Sequence, residues 1–267
     1  MRLAILADIH GNLVAFDAAL ADARSQNADR IILAGDIVVG CPDSGDCWNR
    51  AVSLGVPILR GNHERYVCEL TPRQAGDAQY APIRWAAERL SKDQIAAMTG
   101  LPMSLVLPEF PDTLFVHASP GDDRDNIAPH TPASEIAAMF PGITQRWIVR
   151  GHNHTCMIRP WGEAAIVTTG SVGLPLDLYT TAQYLLMDRR GDGWDFRHVS
   201  VPYDLQAALE RFDSTGYLAS CGPMARLFRR ELATGSHYVV PFIRFYKELQ
   251  KRERISLHEA VDKFMAY

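Results

Sequence analysis

The chain repeats one pattern that constrains it more than any other: a short apolar run that ends in side chains able to bind a metal. Leu3-Ala4-Ile5-Leu6-Ala7 leads into Asp8 and His10. Ile31-Ile32-Leu33-Ala34 leads into Gly35-Asp36, and Val56-Pro57-Ile58-Leu59 into Gly61-Asn62-His63-Glu64. Leu114-Phe115-Val116 ends in His117, and Trp147-Ile148-Val149-Arg150 in Gly151-His152-Asn153-His154. Apolar runs of this length, bounded by glycine, read as buried strands. Helical spacing over 13–24 and 44–54 separates the first three runs. That alternation predicts βαβ units and a parallel sheet covered on both faces. Open α/β sheets place their sites at the carboxyl ends of the strands, where all of these polar side chains fall.

Residues 64–104 then read as helical, with Ser91 and Gln94 forming a capping-box start. Further strands are expected at 105–107, 113–117, 146–150, 156–159, 164–168, 182–187 and 194–200. After Pro202 the spacing predicts helices near 203–213, 223–234, 242–252 and 256–265. The expectation is an α/β domain over residues 1–220 with a helical insert at about 64–104. A helical extension over 221–267 is expected to pack on that domain or on a second subunit, so a homo-oligomer is open.

Composition narrows the function. A net charge of −4 argues against a general nucleic-acid surface, though not against a local positive pocket. No apolar run approaches the ~18 residues of a spanning helix, so membrane contact is not expected. Five cysteines without CxxC spacing argue against a disulfide framework or a zinc finger. The reading is a reduced, cytoplasmic protein.

The candidate ligands are carboxylates, imidazoles and an amide oxygen, a set suited to Mn2+, Fe2+, Co2+, Ni2+ or Zn2+. Two such ions about 3.5–4 Å apart can share a carboxylate and hold a hydroxide that attacks phosphorus. Two ions, Asp8, Asp36 and one hydroxide leave a site charge of about +1, which suits a small anionic phosphate. An aspartate in place of Asn62 would cancel it.

These residues together resemble the calcineurin-like metallophosphoesterase superfamily. Val201-Pro202-Tyr203-Asp204 adds a likeness to its compact bacterial and archaeal, phosphodiesterase-like branch. The resemblance implies two packed β-sheets flanked by helices (α/β/β/α). It implies that Asp8, His10, Asp36 and His154 bind one ion. Asp36, as the bridge, would bind the second with Asn62, His117 and His152. Two divalent ions, Mn2+ first among them, are the implied cofactors. His63, Asn62 and Asp36 are the implied catalytic residues, with His63 contacting the substrate. The Gly170-Ser171-Val172-Gly173 turn reads as structural.

The sequence also departs from relatives. Leu59-Arg60-Gly61-Asn62-His63-Glu64 looks like the serine/threonine protein phosphatase signature. That group carries Asp-Arg where this chain has Val39-Gly40, so the aspartate that orients the histidine and the arginine of a phosphate clamp are missing. Leu176 stands where small-branch members often carry Arg. Arg65, Arg124 and Arg159 are candidate substrate contacts. Tyr66, Tyr80 and Trp85 could stack a base. The resulting expectation is a two-metal phosphoesterase acting on phosphodiester or phosphoanhydride bonds of small, nucleotide-like substrates. The alternatives are a protein phosphatase and a non-catalytic scaffold on the same fold.

Overall fold

A computed structural model describes residues 1–266. Among these residues, nine strands form two sheets. The first contains β1 (Arg2–Leu6), β2 (Arg30–Leu33), β8 (Ala182–Arg190) and β9 (Gly193–Val201), in the order β2-β1-β8-β9. The second contains β3 (Ser104–Leu105), β4 (Thr113–Val116), β5 (Trp147–Arg150), β6 (Cys156–Trp161) and β7 (Ala164–Thr169), in the order β3-β4-β5-β7-β6.

Strand alternation explains the layers. Leu3 and Ile5 face the second sheet and pack with Phe115, Val149, Val167, Leu185 and Met187. Ala4 and Leu6 point the other way, against Phe16 and Leu20 of α1 (Leu13–Ser25) and Trp48 of α2 (Ser44–Ser53). Successive side chains of a strand alternate between faces, so one short run serves both cores. On the far side, Leu114, Val116, Ile148 and Ile166 meet Ile136 of α7 (Ala133–Met139). The result is the expected α/β/β/α stack. Truncating a core residue such as Ile5 to Ala would cost about 2–5 kcal/mol.

Both sheets are mixed rather than parallel. β1 pairs in parallel with β2 but antiparallel with β8, Ile5 opposite Leu185. The expected strand at 56–59 contributes a single bridge, Leu33 to Ile58. Pro57 has no N–H for a ladder; its carbonyl accepts from the Leu33 N–H, and the Leu59 N–H returns to the Leu33 carbonyl.

The insert contains α3 (Asn62–Cys68), α4 (Pro72–Ala75), a 3-10 turn (Ala78–Tyr80), α5 (Ala81–Glu88) and α6 (Lys92–Thr99). Ser91 caps α6 reciprocally with Gln94. After β9 come α8 (Leu205–Ser214), α9 (Tyr217–Thr234), α10 (Val239–Gln250) and α11 (Leu257–Met265). α9 packs on α5 and α8, Tyr217 meeting Trp85 edge-on at 5.2 Å. It runs through residue 221 with a kink at Gly222, just before Pro223. Phe242, Leu257 and Val261 close over Met224 and Leu227, so the last two helices pack on their own chain. Among the described residues, no helix is long and apolar enough to cross a membrane.

Candidate metal centre

The loops at the strand ends are stitched to one another. The Asp8 N–H donates to the Gly35 carbonyl, His10 to Asp36 and Gly151 to His117. The N–H of His152 donates to an Asp8 carboxylate oxygen at 3.0 Å, and that of His63 to Asp36 Oδ1 at 2.8 Å. Five segments far apart in sequence, around residues 8–10, 35–36, 63, 117 and 151–152, are thereby tied together about Asp8 and Asp36.

The backbone is strained where the side chains converge. Asp8 (φ 55°), His10 (52°), Asp36 (54°), His152 (70°) and His154 (57°) all adopt the left-handed conformation. Outside glycine such positions cost about 1–3 kcal/mol each and persist only where surrounding contacts over-determine them. Two glycines serve this packing. Gly35 itself sits at φ 89°, and a Cβ there would come 2.7 Å from His117 Nδ1. A Cβ on Gly61 would overlap Asp36 Oδ1.

Two groups of side chains result. Asp8, His10, Asp36 and His154 offer ligand atoms within 4.8 Å of one another, and so do Asp36, His117 and His152. Asp36 belongs to both. Asn62 joins the second group, its Oδ1 lying 3.1 Å from His117 Nε2. In the first group, His10 Nδ1 donates to the Val39 carbonyl at 2.8 Å and His154 Nδ1 to the Leu174 carbonyl at 2.5 Å. Their Nε2 atoms then face each other at 3.0 Å. Burial holds His10 well below its ordinary pKa and His154 down at about 4, so both rings are neutral. Two lone pairs therefore point at each other in a buried space, an unfavourable contact that a cation between them would relieve. The residues fit a divalent metal on that ground.

Charge in the second group is arranged differently. Burial opposes protonation of His117, but Asp36 at 3.3 Å outweighs it and pushes the ring up to about 9. Burial likewise opposes ionisation of Asp36, yet His117, His63 and His10 hold it well below the usual carboxylate range. Asp8, buried and next to Asp36, is pushed up to about 8. His152 donates from Nε2 to the Arg124 carbonyl at 3.1 Å, which leaves Nδ1 as its free lone pair. Burial keeps its pKa down at about 2.

His63 lies beside the first group, edge-on to His10 at 4.6 Å. Its Nε2 is 3.9 Å from Asp36 Oδ2, and its buried Nδ1 has no hydrogen-bond partner among the described residues. The position of the missing aspartate is occupied by Val39, whose carbonyl fixes His10 instead. Of the three candidate arginines, Arg65 is bound bidentately to Asp123 at 2.6 and 2.8 Å. Arg159 spends its guanidinium on the carbonyls of Ala128 and Thr131. Arg124 keeps its side chain 60% exposed. Trp85 is buried, whereas Tyr66 is half-buried one helical turn from His63, ring to ring at 5.3 Å.

Some supporting residues have no role that the sequence alone suggests. Glu64 is fully buried and accepts from the N–H groups of Asp36, Ile37, Val38 and Gly61. Burial pushes it up to about 7. Arg150, also fully buried, bonds the loops on both sides of His152. A charge at the end of an otherwise apolar strand is the one signal that marks it. The Gly170–Gly173 turn is a clamp: Ser171 Oγ and the Gly173 N–H both donate to the Asp8 carbonyl.

Comparison of the whole chain with known proteins points to one family. The calcineurin-like phosphoesterase superfamily domain matches residues 1–192. The chain therefore belongs to the calcineurin-like phosphoesterase superfamily. A metallophosphoesterase from Sphaerobacter thermophilus superposes with a TM-score of 0.72 at 23% identity, covering 88% of this chain and all of that one. A hypothetical protein from Pyrococcus horikoshii gives 0.74 at 20% identity, covering 89% of this chain and 99% of that one. An uncharacterized protein of Methanocaldococcus jannaschii is 24% identical over 236 residues, 78% of this chain and 90% of its own length.

Proposed function

We propose that this chain is a two-metal phosphoesterase hydrolysing phosphodiester or phosphoanhydride bonds of small, nucleotide-like molecules. The observation that carries the reading is the pair of ligand groups joined at Asp36, with imidazole lone pairs turned inward. Asp8, His10, Asp36 and His154 would hold one divalent cation. Asp36, Asn62, His117 and His152 would hold the other, with Mn2+ favoured and Fe, Zn, Ni or Co also suited to the donors. When bound, the pair would supply positive charge to the phosphoryl oxygens and bring the pKa of a water toward neutrality.

The chain's own residues do the rest. Glu64 holds the Asp36 loop through the N–H groups of Asp36, Ile37 and Val38 and ties it to Gly61, so the shared carboxylate cannot swing away. His63, anchored through its N–H to Asp36, would donate a hydrogen bond to the leaving oxygen. Burial lowers its pKa, so an incoming anionic phosphate would help it take up the proton that it then transfers. Tyr66 offers an aromatic face next to His63, and Arg124, whose main-chain carbonyl bonds His152, offers an exposed cation. Together they suit a substrate with one aromatic group and a further phosphate.

Purified protein loaded with Mn2+ should be tested on bis-p-nitrophenyl phosphate, a dinucleoside tetraphosphate and a phosphopeptide. The diester or the tetraphosphate is expected to have the highest kcat/KM. A phosphopeptide preferred tenfold, about 1.4 kcal/mol of transition-state discrimination, would overturn the reading in favour of a protein phosphatase.

A further inference from the structure

We propose that Arg150 is a positioning residue for the second ligand group, locking the 118–126 loop to the 151–154 turn so that His152 presents Nδ1 toward Asp36 and His117. Arg150 is the last residue of β5 and is fully buried. Its Nε donates to the Ala118 carbonyl at 2.8 Å, and one terminal nitrogen to the Asp125 carbonyl at 2.5 Å. The other donates to Asn153 Oδ1. Each acceptor adjoins a residue of the site. Ala118 follows His117, Asp125 follows Arg124, whose carbonyl takes the Nε2 proton of His152, and Asn153 separates His152 from His154.

The partners of this cation are unusual. Among the described residues, no carboxylate pairs with the guanidinium, and burial lowers its pKa to about 10, which leaves it charged at neutrality. A buried ion is retained here by carbonyl and amide oxygens. Asn153 extends the network, its Nδ2 donating to Asn126 Oδ1 at 2.6 Å. The planar fork of donors reaches three segments at once, which a lysine ammonium cannot do at the same geometry. The left-handed backbone of His152 and His154 lies in the turn that this network pins. Partners that orient a ligand from behind typically change metal affinity about 10–100-fold when removed.

The inference rests on the two-metal reading for its metal readout only, and a second readout is independent of it. In the metal-free protein, nitrogen-15 NMR of the histidine rings should show His152 fixed as the Nε2–H tautomer. Arg150→Lys, which keeps the charge, and Asn153→Ala, which removes one acceptor, should each turn that signal into a tautomer average. The same variants should bind the second Mn2+ at least tenfold more weakly than the wild type, while the first remains bound. Manganese EPR should change accordingly from a coupled pair to an isolated ion. Should Arg150→Lys unfold the chain, Asn153→Ala carries the decision. A fixed His152 tautomer in every folded variant of the two would overturn the positioning role, whatever the melting temperatures. A wild type that binds one ion while its variants lose the tautomer would overturn the two-metal reading and leave the positioning role standing.

Discussion

The two ligand groups share Asp36 but are supported unequally. In the first, His10 and His154 are each fixed by a backbone carbonyl, and Asp8 is clamped by Ser171 and Gly173. Those supports come from strand ends and one tight turn. In the second, His117 is fixed to the Ala34 carbonyl, but half-buried His152 hangs on the carbonyl of Arg124. That loop is secured through side chains: Arg150, the Ser119–Asp125 hydrogen bond and the Arg65–Asp123 pair. The first group is preformed by the sheets, whereas the second depends on a loop being held in place. On the proposed two-metal reading, chelator titration should therefore remove the ion of the second group first.

The largest expected effect breaks both groups together. Asp36→Asn removes the shared charge and leaves His117 and His10 without their closest carboxylate. Elemental analysis should find both ions lost, and turnover should fall by about a thousandfold, the upper end of the range for losing one essential electrostatic group. Retention of two ions would show that Asp36 is not the bridge.

His63→Ala should leave the metal content intact and lower kcat about 10²–10⁴-fold, the range for a positioned acid. The loss should shrink for p-nitrophenolate leaving groups, which need little protonation. An equal loss for good and poor leaving groups would reduce His63 to electrostatic stabilisation.

Protonation distinguishes the groups next. In the metal-free protein Asp8 is pushed up to about 8 and His117 up to about 9, each in a different group. Both hold a proton at pH 7 and must give it up to coordinate. His10, His152 and His154 are held low and are already neutral. Metal affinity should therefore rise with pH from 7 toward 9, about tenfold per unit for each proton released. Calorimetry in buffers of different ionisation enthalpy counts those protons. Binding without proton release at pH 7 would contradict the assignment. The sequence alone suggests a different window, below about 6.5, the reference histidine value; burial and the Asp36 charge move it upward.

That window depends on distances between residues far apart in the chain, which a sequence does not display. The clustering of the candidate ligands is legible because a polar side chain closing a buried strand must find a compensating partner, and a metal would satisfy several at once. The glycines before them mark tight backbone. The left-handed conformations of Asp8 and His152 are not legible: both residue types are enriched at positive φ, but most Asp and His lie elsewhere, and only the surrounding contacts single these two out. Val56–Leu59 reads as a strand by composition, yet Pro57 limits it to one bridge. The fate of a long side chain is least legible. Arg65 meets Asp123 across 58 positions of sequence, and Arg159 meets carbonyls about 30 positions away.

Arg124 gives the smallest expected effect and the sharpest contrast between main chain and side chain at one residue. Its carbonyl belongs to the second ligand group, because it accepts the His152 proton. Its guanidinium is 60% exposed and has a 3.7 Å contact with Asp122, itself exposed. Such surface pairs contribute about 0–1 kcal/mol, so Arg124→Ala should leave stability and metal content unchanged. If the guanidinium receives a distal phosphate, KM for a dinucleoside tetraphosphate should rise about threefold to tenfold, roughly 0.7–1.4 kcal/mol. KM for bis-p-nitrophenyl phosphate, which has no distal phosphate, should not move, and kcat should hold for both. Arg65→Ala is the companion variant. It would strand the buried carboxylate of Asp123, so its effect should appear in melting temperature. An equal rise in KM for both substrates with Arg124→Ala would mean that the loop, and with it the His152 support, has shifted. The cation would then belong to the scaffold of the second group rather than to substrate recognition.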